Sequence, residues 1–160
     1  MKVRLVALAG ALLILAACSS EPPPAAPVAP GGPGGVTSSN FGPGSQQDLA
    51  ATAGDRVFFQ FDSSEINSEG QQILQRQAEW LRRYANVTVT IEGHCDERGT
   101  REYNLALGER RANAAKNVLV AAGIPASRVS TISYGKERPI APGSTEDAYA
   151  QNRVAVTRVN

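Results

Sequence analysis

From Arg56 to its end the sequence predicts an α/β sandwich, with two main helices packed on one face of a mixed four-stranded sheet. Short β-rich runs alternate there with helix-length amphipathic runs, glycines and prolines punctuate the junctions, and the preceding stretch is too poor in aliphatic residues to join a core. Arg56 to Phe61 (RVFFQF) reads as a strand closed by the polar turn Asp62, Ser63, Ser64. Ser68 with Gln71 three residues on has capping-box spacing. Ile73, Leu74, Ala78, Leu81 and Ala85 then recur at helical intervals, so a helix runs to about Ala85. Val87 to Glu92 (VTVTIE) alternates apolar and polar residues as a half-buried strand does. Gly93 to Gly99 is a polar loop, after which Thr100 can cap a long helix with Tyr103, Leu107, Ala114, Val118 and Ala121 along one stripe. Gly123 suits a left-handed cap and Pro125 cannot continue a helix. Val129 to Ser133 is a third strand, Tyr134 to Tyr149 a long polar connection, and Val154 to Val159 the last strand. The order is β, α, β, α, β, loop, β.

Ahead of this domain lie two segments of different character. Lys2 and Arg4 precede an apolar run from Leu5 to Ala17, well under the roughly 20 residues that a bilayer-spanning helix needs. Residues 1–17 therefore read as a secretory signal. Its end, Leu15, Ala16, Ala17, Cys18, resembles the lipobox of bacterial lipoproteins, in which the Cys becomes the first mature residue. That resemblance implies an N-acyl and S-diacylglycerol group on Cys18, and Ser19 after it implies sorting to the outer membrane. Residues 18–52 are expected to be the acylated Cys and a disordered linker, with the folded domain spanning 53–160. Seven of the ten prolines fall in the linker, interleaved with glycines, and such a segment cannot bury enough surface to offset its ordering entropy. At the polyproline rise of about 3.1 Å per residue its reach is roughly 90 Å.

Charge and cysteine usage narrow the function. Sixteen Lys and Arg against fifteen Asp and Glu give a net charge of +1, which offers no cation excess for a polyanion and argues against nucleic-acid binding. Loss of Lys2 and Arg4 leaves 14 basic residues against 15 acidic ones, a charge of −1, so an anchor would have to be acyl chains rather than a basic patch. One His and two Cys cannot fill a structural zinc site without carboxylates, and no metal or other cofactor is expected. With Cys18 acylated, Cys95 is the one remaining thiol, either buried and inert or free to pair with another protein.

The informative stretch is Glu92 to Ala112, EGHCDERGTREYNLALGERRA. Together with FFQFD at Phe58 to Asp62 and ISYGKERP at Ile132 to Pro139, it resembles the outer-membrane protein A-like family, and within that family the Tol–Pal branch. The resemblance covers roughly Arg56 to Asn160. It implies a peptidoglycan-binding domain facing the periplasm, a diaminopimelate-containing stem peptide as ligand, a role in envelope integrity and cell division, and a periplasmic β-propeller partner, TolB. It assigns Asp96 and Arg111 to the ligand, with Phe61, Asp62 and Leu107 lining the pocket. The chemistry is apt, because an Arg fork can hold a carboxylate through two parallel hydrogen bonds and an Asp can accept from an ammonium. Arg111 sits about 16 Å along its helix from Thr100 at ~1.5 Å per residue, and the loop Gly93 to Gly99 can span about 23 Å, so the pair can converge.

Other readings stay open at this stage. Arg111 could belong to a solvated face with Glu109 and Arg110, Asp96 could cap a turn through the amides of Arg98 or Gly99, and Leu107 could be core. Arg98 and Arg101, set among Glu97 and Glu102, read as surface ion pairs rather than ligand contacts. A thiol enzyme built on His94, Cys95 and Asp96 is disfavoured, since consecutive strand residues point to opposite faces. A module acting mainly through the propeller partner is the other alternative, with the connection Tyr134 to Tyr149 as a candidate surface.

Overall fold

The computed structural model describes residues 41–160. The expected signal, Cys18 and the greater part of the expected linker lie outside the described residues.

Four strands form one sheet: β1 (Arg56–Phe58), β2 (Val89–His94), β3 (Val129–Gly135) and β4 (Val154–Val159), in the order β1-β4-β2-β3. Strand β2 pairs parallel with β3 and antiparallel with β4, which pairs antiparallel with β1, so the sheet is mixed as expected. The parallel pair needs a long crossover, and α3 (Arg101–Ala121) provides it. With α2 (Ser68–Arg83) it packs on the face of the sheet carrying Val57, Val89, Ile91, Val129 and Ala155, and these residues form one core with Leu74, Ala78, Leu81, Ala112, Ala115 and Leu119.

Helix ends follow the capping chemistry. Thr100 Oγ1 accepts from Tyr103 N and starts α3, while Gly123, at φ +92°, lies just beyond its end. On α2 the cap is Asn67, whose side chain accepts from Gly70 N at 2.8 Å, rather than Ser68. Buried Gln77 on α2 donates to Gly54 O at 2.7 Å and accepts from Thr157 Oγ1 at 2.9 Å, so a polar core position is satisfied from both sides of the helix–sheet interface.

Three expectations are corrected. The linker does not extend to Thr52: Gln46–Thr52 is a helix, α1, capped by Ser45 and anchored by Leu49, which is 0% exposed. Asp48 accepts from Trp80 Nε1 at 2.9 Å, and Gln46 both donates to Thr157 O and accepts from Val159 N. One buried leucine and one cap suffice where composition averaged over a proline- and glycine-rich stretch hides them. Leu49→Ala is expected to cost about 2–5 kcal/mol, seen as a lower urea midpoint at unchanged slope. A loss under ~1 kcal/mol would show that α1 contributes little.

The second correction concerns the connection Tyr134 to Tyr149. It contains the end of β3 and the start of a short helix, α4 (Glu146–Asn152), capped by Thr145. Asn152 holds the loop before it, accepting from Ile140 N and Ala141 N and donating to Ala141 O. Third, the buried face of α3 is Asn104, Leu107, Gly108, Arg111, Ala112, Ala115 and Leu119, whereas Tyr103 is 45% exposed and Ala121 is exposed. The apolar stripe was rotated because two inward positions carry Asn and Arg.

Candidate binding site

Strand β1 ends at Phe58 instead of Phe61, and the chain then turns through Gln60 to Ser63 with Asp62 in the left-handed region at φ +53°. Strand β2 shifts register between Gly93 and His94 and releases Cys95 to Gly99 as a loop. These two segments meet the first half of α3, which approaches β2 so closely that a Cβ on Gly93 would lie 1.9 Å from Gly108 O.

Arg111 joins all three. Its Nε donates to Ser63 O at 2.8 Å, Nη2 to Gln60 O at 3.2 Å, and Nη1 to His94 O at 2.8 Å and to Cys95 Sγ at 3.4 Å. The residue is 1% exposed, and its guanidinium stands 5.1 Å from the Phe59 ring. Burial pulls its pKa down, opposed by Cys95, Asp96 and Asp62. The expectation that Arg111 presents a two-bond fork is therefore corrected: of five N–H groups, four are spent on the protein's own acceptors.

Asp96 is equally engaged. Its Oδ1 accepts from the backbone N and Nε of Arg98, both at 3.2 Å; its Oδ2 accepts from Arg98 Nη2 at 2.7 Å and from Arg153 Nη1 at 3.4 Å. Burial alone would raise this carboxyl, but the hydrogen bonds and charges of Arg98, with Arg153, outweigh it and hold the pKa below the usual carboxylate range. The turn-capping use of Asp96 is thus present together with an ion pair. Arg98 is not the surface partner of Glu97 and Glu102 that the sequence suggested. It folds back onto Asp96, with its guanidinium 4.1 Å from the Phe61 ring centroid and 4.5 Å from that of Tyr149. Across the same opening the Tyr103 hydroxyl donates to Asp62 Oδ1.

The result is a cavity of about 180 Å³ lined by Phe61, Asp62, Asp96, Leu107 and Arg111, joined by Cys95, Arg98, Gly99, Tyr103 and Asn104. All five pocket positions named from the sequence meet here. Two carboxylates and two guanidiniums face a space with an apolar floor at Leu107 and aromatic edges, which suits a small zwitterionic group. Arg98, Tyr103 and the buried Arg153 were missed. Arg98 stood inside the informative string, whereas nothing local in the sequence marks Arg153, which reaches Asp96 from the junction of α4 and β4.

His94 and Cys95 each make their hydrogen bonds elsewhere. Cys95 Sγ donates to Asn104 O at 3.3 Å, and burial raises its thiol pKa, the reverse of what a nucleophile needs. His94 Nδ1 donates to Arg138 O at 2.9 Å, which places the proton on that nitrogen; the buried Nε2 has no hydrogen-bond partner, and Glu92 Oε2 lies 3.8 Å away. Burial lowers the imidazole pKa below 6.5, more than the Arg138 carbonyl and Glu92 raise it. A folded pKa below the unfolded one means that this contribution to stability is full at neutral pH and declines as pH falls through about 6.5 towards the folded value. His94→Gln should therefore flatten the thermal-stability profile between about pH 7 and 5, and a variant profile as steep as the parent's would contradict this.

A model of the OmpA family matches residues 58–153. The chain belongs to the OmpA family. Its relatives include the "Peptidoglycan-associated lipoprotein" of Agrobacterium fabrum, 53% identical over 148 residues that cover 91% of this chain and 81% of the relative. The protein of the same description from Haemophilus influenzae is 42% identical, covering 96% and 95%. Among solved OmpA-family structures, the peptidoglycan-associated lipoprotein of Burkholderia pseudomallei matches with a TM-score of 0.65 and 40% identity over 66% of this chain and 90% of that one. The C-terminal domain of Helicobacter pylori MotB, 23% identical with a TM-score of 0.62 and coverage of 66% and 84%, shares the fold. The OmpA-family match takes in the turn bearing Phe61 and Asp62, the Asp96 loop, and α3 with Leu107 and Arg111, so the whole lining of the cavity lies inside it.

Proposed function

We propose that this OmpA-family chain is a non-catalytic tether that fixes the outer membrane to the cell wall. The acyl chains on Cys18 hold the membrane, the proline- and glycine-rich segment spans the gap, and the domain in the periplasm binds peptidoglycan non-covalently at the cavity. The observation that carries this reading is the convergence of Asp62, Asp96, Arg98 and Arg111 on one space of about 180 Å³. Diaminopimelate in an uncrosslinked stem peptide ends in an ammonium and a carboxylate on one carbon, and a pocket lined by both signs complements it. The description of the chain's relatives as peptidoglycan-associated supports peptidoglycan as the polymer. The raised Cys95 thiol and the engaged His94 ring favour binding over catalysis. We assign the chain to the Tol–Pal system of the dividing envelope, with TolB, a periplasmic β-propeller, competing for an overlapping face.

Co-sedimentation of the full chain with purified cell wall tests this. The parent is expected to pellet with diaminopimelate-type wall and much less with lysine-type wall, and Asp96→Ala to stay in the supernatant. Equal pelleting with both wall types, or undiminished binding by Asp96→Ala, would overturn the site assignment.

A further inference from the structure

The loop that carries Asp96 is held by its backbone carbonyls. Four successive ones receive side-chain N–H groups from two residues in alternation. Lys136 Nζ donates to Glu97 O at 3.1 Å and to Gly99 O at 2.6 Å, while Asn104 Nδ2 donates to Arg98 O at 2.8 Å and to Thr100 O at 3.1 Å. Asn104 is a buried residue of α3, and Lys136 directly follows β3. Further bonds come from β3 and α4: Cys95 N donates to Gly135 O at 2.8 Å, and the Tyr149 hydroxyl to Glu97 Oε1 at 2.7 Å. Asp96 depends on these fastenings. Its Oδ1 accepts from the backbone N and the Nε of Arg98, two residues on, so acid and partner ride on one loop and their bonds do not fix that loop against the domain. Among the described residues, the one bond that ties the carboxylate itself to another element is the 3.4 Å contact with Arg153 Nη1.

We propose that Lys136 is a positioning residue for the cavity: its ammonium pins the Glu97 and Gly99 carbonyls and so keeps Asp96 aimed at the ligand, although Lys136 is not among the residues that line the space. Two carbonyl oxygens within reach of one point form a cradle for a cation. The chain fills it with its own. A lysine suits the task because its compact charge carries three donors and no acceptor, so one group satisfies both oxygens at once. Without it the loop would hold the ligand-ready arrangement for only part of the time, and the apparent affinity falls by that fraction.

This inference rests on the stem-peptide reading above. The test is calorimetric titration of the full chain with a soluble stem peptide that contains diaminopimelate. Lys136→Ala should weaken binding on the order of tenfold, the drop expected when the ready arrangement is populated about a tenth of the time, with the thermal midpoint close to the parent's. Exchange of the Arg98 amide hydrogen, which is bonded to Asp96 Oδ1, should quicken while amides of β2 and β4 keep the parent rate. Excess propylammonium chloride, a free copy of the missing group, should restore part of the affinity. Propanol, of the same length, and sodium chloride at the same ionic strength should not, and a side chain that merely packed would show no such difference. Lys136→Met, which keeps an apolar stem and removes the three donors, should show the same loss and serves if the alanine variant folds poorly. Parent-level affinity in either variant, or no advantage of propylammonium over propanol, overturns the positioning role while the stem-peptide reading stands. No binding of the peptide by the parent sinks both readings together.

Discussion

Replacing Arg111 with Met should abolish the cooperative thermal transition of the domain, and not merely its binding. The side chain is 1% exposed and donates to three backbone carbonyls in two separate segments, Gln60 and Ser63 after β1 and His94 at the end of β2. A methionine fills much of the volume but orphans all three acceptors. At about 1–3 kcal/mol for each buried acceptor left unpaired, the loss is of the same order as the 5–15 kcal/mol by which typical domains are stable. Arg111→Lys should fare little better, because one ammonium cannot reach carbonyls that a planar fork spreads apart. Circular dichroism through a thermal ramp decides the matter, and a midpoint within a few degrees of the parent would contradict it. A fork presented to the ligand, the role that the resemblance implies for Arg111, would instead give a variant that folds normally and fails to bind. The difference comes from where the fork points, which residue type and spacing do not reveal.

The second large effect is expected for Gly93→Ala. A Cβ there would lie 1.9 Å from Gly108 O and 2.5 Å from Gly108 C, and these are backbone atoms of a helix in mid-course, so no rotamer change relieves the clash. Helix α3 must move outward from β2, against the Ser133 Oγ bond to Leu105 O at 2.7 Å. Overpacking of this kind costs about 1–3 kcal/mol when side chains can yield, and more when backbone must move. We expect at least ~3 kcal/mol, with cavity binding lost as Leu107 and Arg111 are carried away from the turn at Phe61 and Asp62. Gly123→Ala is the control. At φ +92° with open space around it, it should cost only about 1 kcal/mol for the left-handed conformation. A Gly93 variant no worse than the Gly123 variant in urea midpoint would refute the close-approach argument.

These two positions show what could be read from the amino acids alone. Strand and helix identities were legible because β-branched alternation, Thr100 and Gly123 are local signals, and β4 has the expected limits, Val154 to Val159. The five pocket residues were legible through a long motif at fixed spacing. What escaped was non-local. The inward face of α3 was misjudged because Asn104 and Arg111 are buried polar residues, and whether such residues are satisfied depends on carbonyls far away in sequence. Arg98 was read as a surface charge because its neighbours in sequence are acids, whereas its partners in space are Asp96 and two aromatic rings. Helix α1 escaped because a single buried Leu49 gives no periodicity to detect.

Helix α1 also determines how the domain meets mechanical load. Tension arriving from the N-terminal side must travel through Gln46–Thr52 before it reaches any strand, and this helix is held by Leu49, by Asp48 to Trp80 and by Gln46 to Thr157 and Val159. Those fastenings can peel one after another, whereas the ladder between β2 and β4 must shear as a block. A pull on the chain ahead of Ser45 is thus absorbed first by a short helix, and the cavity is spared until that helix has let go.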